Sequence, residues 1–176
     1  KEVLSITDKP VSFEVFADEF DEMERQARII SSWGDNVYVK IPITNTKGES
    51  SIDLINRLSE SIKMNVTALT GRKQTYLIYQ PSMPMIVSFF AGRIADTGID
   101  PEDMFMPTIA GVESLWASPR EVLNIYQEEQ AGADIITCTP EIIKKYETMK
   151  GKDLDELSLD TVKQFYNDGQ AAGYVL

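Results

Sequence analysis

The residue of this sequence best suited to covalent chemistry is Lys40, in the run Val-Tyr-Val-Lys-Ile-Pro-Ile at residues 37–43. A lysine flanked by Val39 and Ile41 loses part of its hydration, which favours the neutral amine that can attack a carbonyl carbon. The same pattern fits a lysine whose stem packs inside while its ammonium group reaches water at a strand end. The pattern alone leaves both interpretations open.

Polar side chains in neighbouring runs could work with Lys40. Glu14 is a second charge on the polar side of its run, where it could relay protons through water or form an ion pair with the lysine. Asn65 and Thr67 could hydrogen-bond a substrate hydroxyl or a catalytic water, or could simply satisfy other interior polar groups. A catalytic interpretation requires that all of them share one cavity with Lys40.

Two arginines that follow apolar runs could bind a phosphate group. Arg93 follows the run that ends at Phe90, and Arg120 follows Ser118 and Pro119 at a predicted helix start. A small hydroxyl side chain, a helix N-terminus and an arginine together suit an anion. Ser118 followed by Pro119 is also typical of an ordinary helix start, where the hydroxyl only caps the helix.

The candidate residues fall in β-rich runs that alternate with helical patterns. The runs cover residues 11–16, 37–43, 64–69, 85–90, 113–118 and 133–138. The helical patterns cover residues 18–32, 51–62, 72–79, 101–109, 119–131, 140–149 and 159–169. Strands that alternate with helices predict βαβ units and a parallel sheet.

The pattern within the runs favours a (β/α) barrel over a doubly wound sheet. In residues 37–43 the odd positions are all Val or Ile, whereas the even positions include Lys40. The run at 113–118 is expected to turn Trp116 and Ser118 to the polar face. Strands of a doubly wound sheet tend to be apolar on both faces, whereas a barrel interior that holds a site carries polar groups. Only six units are visible, and a barrel closes with eight over about 250 residues.

Composition limits the chemistry and the partners. The 176 residues include one cysteine and no histidine, so Ser-His-Asp or Cys-His nucleophiles and imidazole-dependent zinc sites are excluded. We expect no metal and no cofactor. The net charge of −11 argues against nucleic acid, because phosphate backbones are bound by clustered Lys and Arg. No apolar stretch is long enough to span a membrane, and the lone cysteine fits a reducing cytoplasm.

Several motifs taken together resemble the transaldolase family. They are Val-Ser-Phe-Glu-Val (11–15), Val-Lys-Ile-Pro-Ile-Thr (39–44), Asn-Val-Thr (65–67), Gln74, Ser-Phe-Phe-Ala-Gly-Arg-Ile (88–94), Ala-Ser-Pro-Arg (117–120) and Gly-Ala-Asp-Ile-Ile-Thr (132–137). The resemblance implies an α/β fold, a (β/α)8 TIM barrel of the class I aldolase type. This chain would supply about six βα units and a C-terminal helix, in one partial barrel domain over residues 1–176.

The resemblance also implies a role for each candidate residue. Lys40 would form a Schiff base with a ketose phosphate and hand a dihydroxyacetone unit to an acceptor sugar phosphate. Glu14 would activate a water that relays protons, and Thr67 would hold that water. Asn65 would contact the bound three-carbon unit. The substrate phosphate would be held by Arg93, Ser118 and Arg120.

Two positions separate the branches of the family. Fructose-6-phosphate aldolases, which release free dihydroxyacetone, have a Gln at the position that Glu14 resembles. They have a Tyr at the position that Phe90, the candidate substrate-binding residue, resembles. These two positions therefore favour a transaldolase that acts on sugar phosphates. The resemblance to small family members also implies a homo-oligomer. The alternatives are an aldolase, a non-catalytic barrel fragment, or a related enzyme for an unusual sugar, since the loop at residues 45–50 is longer than in short family members.

The family has two βα units before the strand that residues 11–16 resemble. We therefore expect the natural protein to be longer by about 50–60 residues, the size of two such units. We do not expect this chain to close the barrel or to be active alone.

Overall fold

The computed structural model of the protein describes residues 2–75, 78, 80–105 and 111–175. The chain divides into two units, Lys1–Cys138 and Thr139–Leu176. Every strand found in the described residues belongs to the first unit, and the second unit consists of two helices with their connections. One barrel domain over the whole chain stays a prediction.

Six parallel strands form one sheet in the first unit. They are β1 Val11–Glu14, β2 Val37–Pro42, β3 Met64–Leu69, β4 Met85–Phe89, β5 Val112–Trp116 and β6 Ile135–Ile136. Each strand pairs with the next along the chain, in the order β1 to β6. Parallel neighbours need a crossover connection, and an α-helix lies in each connection except the one between β3 and β4, where the described residues include a 3-10 turn. The predicted alternation of strands and helices is confirmed, and the arrangement fits part of an α/β barrel.

The helices differ more from prediction than the strands do. They are α1 Phe20–Ser31, α2 Ile52–Leu58, α3 Ala91–Ala95 and α4 Leu123–Ala131 in the first unit, and α5 Pro140–Met149 and α6 Leu154–Ala171 in the second. The predicted helices at 72–79 and 101–109 begin as the 3-10 turns Arg72–Gln74 and Pro101–Met104. Residues 76, 77, 79 and 106–109 of those two predictions lie outside the described residues. Over the described ranges, none of the helices combines the length and the apolar character needed to span a bilayer.

The two faces of the sheet carry different cores. Val37, Val39 and Ile41 of β2 are almost fully buried in the larger cluster, together with Met23 and Ala27 of α1. This confirms that the odd positions of β2 face the helices. A second, smaller cluster on the opposite face contains Tyr38, Ile86, Leu115 and Ala117.

The predicted orientation of Trp116 is wrong. The register pairs Ser88 with Leu115 and Phe89 with Trp116, so Leu115 shares the face of Ser88. Trp116 is fully buried on the helix side and stacks on Phe105, with ring centroids 4.9 Å apart and an interplanar angle of 18°. The strand keeps its period of two, because Leu115 and Ala117 line the cavity, but its phase is opposite to the predicted one. The burial of two large aromatic rings against each other favours this phase.

Candidate active site

A cavity of about 500 Å³ opens on the face of the sheet opposite the helix-side core. All six strands or the residues next to them contribute to its lining, which means that the sheet curves around it. The lining residues are Pro10, Ser12, Lys40, Asn65, Ile86, Ser88, Leu115, Ala117, Ile135 and Thr137.

Lys40 lines the cavity, and Glu14 lies beside it but is not part of the lining. They are register partners on the parallel strands β1 and β2. The Nζ atom of Lys40 lies 3.7 Å from Oε2 of Glu14, and the side chains are 28% and 49% exposed. An ion pair this exposed contributes at most about 1 kcal/mol. The amine therefore lies next to a carboxylate that does not strongly restrain it.

Asn65 lies beside Lys40 on the next strand. The two residues are register partners on β2 and β3, and Asn65 is 4% exposed. Its Nδ2 donates to Oγ of Ser12 at 2.9 Å, and its Oδ1 accepts from Oγ of Ser88 at 2.7 Å. The structure thus places a held amide group on the strand next to Lys40, and both residues line the cavity.

Thr67 lies two residues further along β3 and is 2% exposed. Its Oγ1 has no hydrogen-bond partner among the described protein groups. Ala68, which follows it, has φ of 65°, and the pairing with β4 shifts between Val66 and Leu69. A buried unpaired hydroxyl costs about 1–3 kcal/mol, so this group is suited to binding a water or a ligand oxygen.

The two predicted phosphate-binding arginines are exposed beyond the ends of β4 and β5. The Arg93 guanidinium lies 5.1 Å from the ring centroid of Phe90, as in a cation–π contact. The Arg120 Nη2 donates to Oδ2 of Asp96 at 3.0 Å, and both side chains are more than half exposed. Because exposed ion pairs are weak, a phosphate can compete with Asp96 for Arg120.

Gly92 allows the two arginine-bearing segments to approach each other. A Cβ atom at Gly92 would collide with the backbone oxygen of Ser118 and lie 3.1 Å from Nε of Arg120. The N–H of Gly92 also donates to the Ala117 oxygen at 3.4 Å. Arg93 and Arg120 therefore lie on touching segments, as the phosphate hypothesis requires.

The predicted helix start directly after Ser118 is wrong. Helix α4 begins at Leu123, and Ser118 has φ of 63°, which is not the extended conformation of an N-cap residue. Asn124 holds the segment instead, because its Oδ1 accepts from the backbone N–H groups of Arg120 at 2.7 Å and Glu121 at 3.0 Å. Arg120 thus lies on a braced loop and not in the first turn of a helix.

The loop that follows β2 is tied to the segment that follows Glu14. Both carboxylate oxygens of Asp18 accept from Thr46, one from its N–H and one from its hydroxyl, each at 2.7 Å. These two bonds, above all the backbone one, hold the pKa of the Asp18 carboxyl below its usual range. Lys47 adds an ion pair with Glu19. The loop is therefore ordered by contacts with residues beyond β1.

Three polar residues that line the cavity were not among the predicted site residues: Ser12, Ser88 and Thr137. Ser12 shares the polar face with Glu14, so the period of two in a strand could have identified it. Ser88 shares the face of Phe90 for the same reason. Thr137 follows the short strand β6 and ends the motif at residues 132–137, to which no role was assigned.

The polar groups suit the chemistry of a phosphorylated carbonyl compound. An amine, a carboxylate, an amide and a free hydroxyl lie on adjoining strands, and two arginines lie beyond the strand ends. Within residues 2–75, 78, 80–105 and 111–175, no group of three or more Cys, Asp or Glu side chains is arranged to hold a metal ion.

Comparison with known proteins points to one family. The family model described as Transaldolase/Fructose-6-phosphate aldolase matches residues 1–174. A probable transaldolase of Roseiflexus sp. (strain RS-1) is 32% identical over 152 residues, which cover 82% of this chain and 68% of the relative. Probable transaldolases of Methanococcus maripaludis (strain C7) and Chelativorans sp. (strain BNC1) are 33% and 36% identical, again over 82% of this chain and over 69% and 68% of the relatives. The chain therefore belongs to the transaldolase/fructose-6-phosphate aldolase family.

Proposed function

We propose that this protein is a transaldolase, which transfers a dihydroxyacetone unit between sugar phosphates through a Schiff base on Lys40. The observation that supports this most is the pairing of Lys40 with Glu14, 3.7 Å apart, beside the amide of Asn65. An ion pair alone would fit a structural lysine as well, but the cavity that Lys40 lines together with Asn65 favours a catalytic role. Membership of the family supplies the class of substrate, a sugar phosphate.

In the proposed reaction the neutral Nζ of Lys40 attacks C2 of a ketose phosphate, and loss of water gives an iminium. The iminium takes up the electron pair of the C3–C4 bond, the C4 hydroxyl loses its proton, and an aldose phosphate leaves. Three carbons stay on Lys40 as an enamine. The enamine carbon then attacks the aldehyde of an acceptor, whose oxygen takes a proton, and water releases the new ketose phosphate.

Glu14 has the proposed role of moving protons through one water molecule. Its carboxylate lies next to the amine and is half exposed, so a water can reach both groups. The unpaired Oγ1 of Thr67 is the proposed holder of that water. Asn65, whose amide is fixed beside Lys40, would hydrogen-bond the three-carbon unit.

The substrate phosphate would bind beyond the ends of β4 and β5. Arg93 and Arg120 supply charge from touching segments, and Ser118 lies between them. Phe90 supports Arg93 through its ring and would also border the substrate. Arg120 would exchange its contact with Asp96 for the phosphate.

Reductive trapping tests the Schiff base. Borohydride added to full-length protein with fructose 6-phosphate is expected to leave a stable adduct on Lys40, located by peptide mass spectrometry. The variant Lys40→Ala should give no adduct, whereas Lys63→Ala, which changes a lysine at the start of β3, should react normally. An adduct that persists in Lys40→Ala would refute the proposal, and so would no adduct in the native protein.

The second candidate function is that of a fructose-6-phosphate aldolase, because the family model covers both activities. Glu14 and Phe90 argue against it, since members of that branch have Gln and Tyr at the positions that these residues resemble. With erythrose 4-phosphate as acceptor, a transaldolase yields sedoheptulose 7-phosphate. Free dihydroxyacetone as the main product would indicate the aldolase, and failure of both reactions together with absent trapping would indicate a non-catalytic barrel.

A further inference from the structure

A chain of hydrogen bonds crosses the cavity beneath Lys40. Ser88 Oγ donates to Asn65 Oδ1 at 2.7 Å, and Asn65 Nδ2 donates to Ser12 Oγ at 2.9 Å. Ser88 is on β4, adjacent to β3, but Ser12 is on β1, which does not pair with β3. The bond between Asn65 and Ser12 therefore passes over β2, the strand that carries Lys40.

The register of the sheet places this bond directly below the reactive amine. Glu14 pairs with Lys40, which pairs with Asn65, whereas Ser12 pairs with Tyr38. The contact between Asn65 and Ser12 thus crosses the cavity face of β2 between Tyr38 and Lys40. Ser12 lies at the level of Tyr38, two residues before Lys40 on β2. Its hydroxyl contacts the Asn65 amide and not the Lys40 amine.

The amide of Asn65 has groups left for a ligand. A side-chain amide has two N–H donors and an oxygen with two lone pairs. Ser12 and Ser88 each occupy one of these, so one N–H and one lone pair remain for the cavity. The terminal torsion of asparagine is broad and nearly two-fold, and contacts at both ends of the amide restrict it. Loss of either contact would let the remaining N–H turn away from Lys40.

We propose that Ser12 is a positioning residue, which holds the Asn65 amide in the orientation that binds the three-carbon unit on Lys40. This inference rests on the proposed function. Ser12 lines the cavity and is not part of the helix-side core, so its hydroxyl is not needed to hold that core together. Its loss should therefore affect the binding of the donor sugar much more than the stability of the fold.

Two substitutions of equal shape test the hydrogen bond. Ser12→Thr keeps the hydroxyl, and Ser12→Val replaces it with a methyl group, while both side chains suit a strand. We expect Ser12→Val to raise KM for fructose 6-phosphate about tenfold, with kcat and the melting temperature little changed, because one hydrogen bond is lost. Ser12→Thr should stay close to the native KM. Equal KM values in the two variants would overturn the inference.

A double variant tests whether Ser12 acts through Asn65. In an Asn65→Ala background, Ser12→Val should have no further effect on KM, since the amide that it positions is gone. Independent, multiplying effects would contradict the inference. Trapping by borohydride is measured first in the native protein. Its failure there overturns the proposed function and this inference together, whereas normal trapping with an unchanged KM in Ser12→Val overturns the inference alone.

Discussion

The ion pair between Lys40 and Glu14 contributes little to the stability of the fold. Both side chains are partly exposed, so their attraction is weakened by water and salt. Removing either charge should therefore leave the fold nearly intact. Such a pair is well suited to mutational tests, because effects of a substitution on activity can be separated from effects on stability.

The substitution Glu14→Gln should lower kcat at least about 100-fold, because groups that transfer protons contribute about 10²–10⁴-fold to rates. Borohydride should still trap Lys40, since Glu14 is not the covalent residue. Unfolding in urea should change by less than about 1 kcal/mol. Glu113→Gln, which removes a carboxylate from β5 at the other end of the strands, serves as the control and should keep normal kcat. Normal turnover in Glu14→Gln would contradict its role in proton transfer.

Tyr38, on the cavity face below Lys40, should make the fold sensitive to alkali. Burial, helped by the negative charge of Glu113, raises the pKa of the Tyr38 phenol above its usual value. A raised pKa contributes stability that is complete below the unfolded pKa of about 10 and is lost as pH rises through the folded value. Urea unfolding at about pH 8 and about pH 10.5 should therefore show a larger loss in the native protein than in Tyr38→Phe. Equal losses would contradict the assignment.

At the scale of elements, the site depends on how loops approach each other beyond the strand ends. Helix α3 begins where its backbone touches the segment that carries Ser118, and the left-handed conformation of Ser118 turns its carbonyl toward Gly92. Asn124 braces the same segment from α4. Of the proposed phosphate-binding residues, Ser118 and Arg120 are thus positioned by backbone contacts, whereas Arg93 lies within the short helix α3.

Gly92→Ala should separate these two segments. The added Cβ meets a backbone oxygen, which cannot turn aside as a flexible side chain could. We expect a loss of about 1–3 kcal/mol in the free energy of unfolding, typical of overpacking, together with weaker inhibition by inorganic phosphate. Gly169→Ala, in α6, meets no atom within 4 Å and should not destabilise the protein. Equal stability of both variants would show that the contact is dispensable.

At the scale of the whole molecule, the net charge and the exposed apolar surface bear on which partners the protein can bind. The net charge of −11 predicts that nucleic acid is not a partner of this protein. On helix α6, Val162, Phe165 and Tyr166 share one side at a spacing of three and four residues, and they are 59%, 69% and 66% exposed. Apolar side chains grouped in this way are typical of contacts between subunits.

The full-length protein is therefore expected to be a homo-oligomer. Light scattering during gel filtration should give a multiple of the mass of one chain. Phe165→Ser with Tyr166→Ser should lower that mass, because the apolar area at the contact is reduced. Lys163→Ser, a neighbouring change outside the apolar side, should leave the mass unaltered. A monomeric native protein would contradict the prediction.

The sequence by itself determined the order of the elements and the face on which most site residues lie. Alternation with period two turned Lys40 and Asn65 away from the helix side, and the alternating runs predicted the parallel order from β1 to β6. Both are local properties of the chain, because the period of a strand and the length of a crossover are set within about 30 residues.

Only the tertiary structure decided which side chains meet. Trp116 faces the helices because Phe105 offers a stacking surface there. Ser118 adopts a left-handed backbone where Gly92 approaches it. Ser12 reaches Asn65 across a strand that separates them. In each case the deciding contact joins segments distant in sequence, and a local pattern cannot encode the packing between them. The sequence could name Lys40 and its candidate partners, but not the contacts that hold those partners in place.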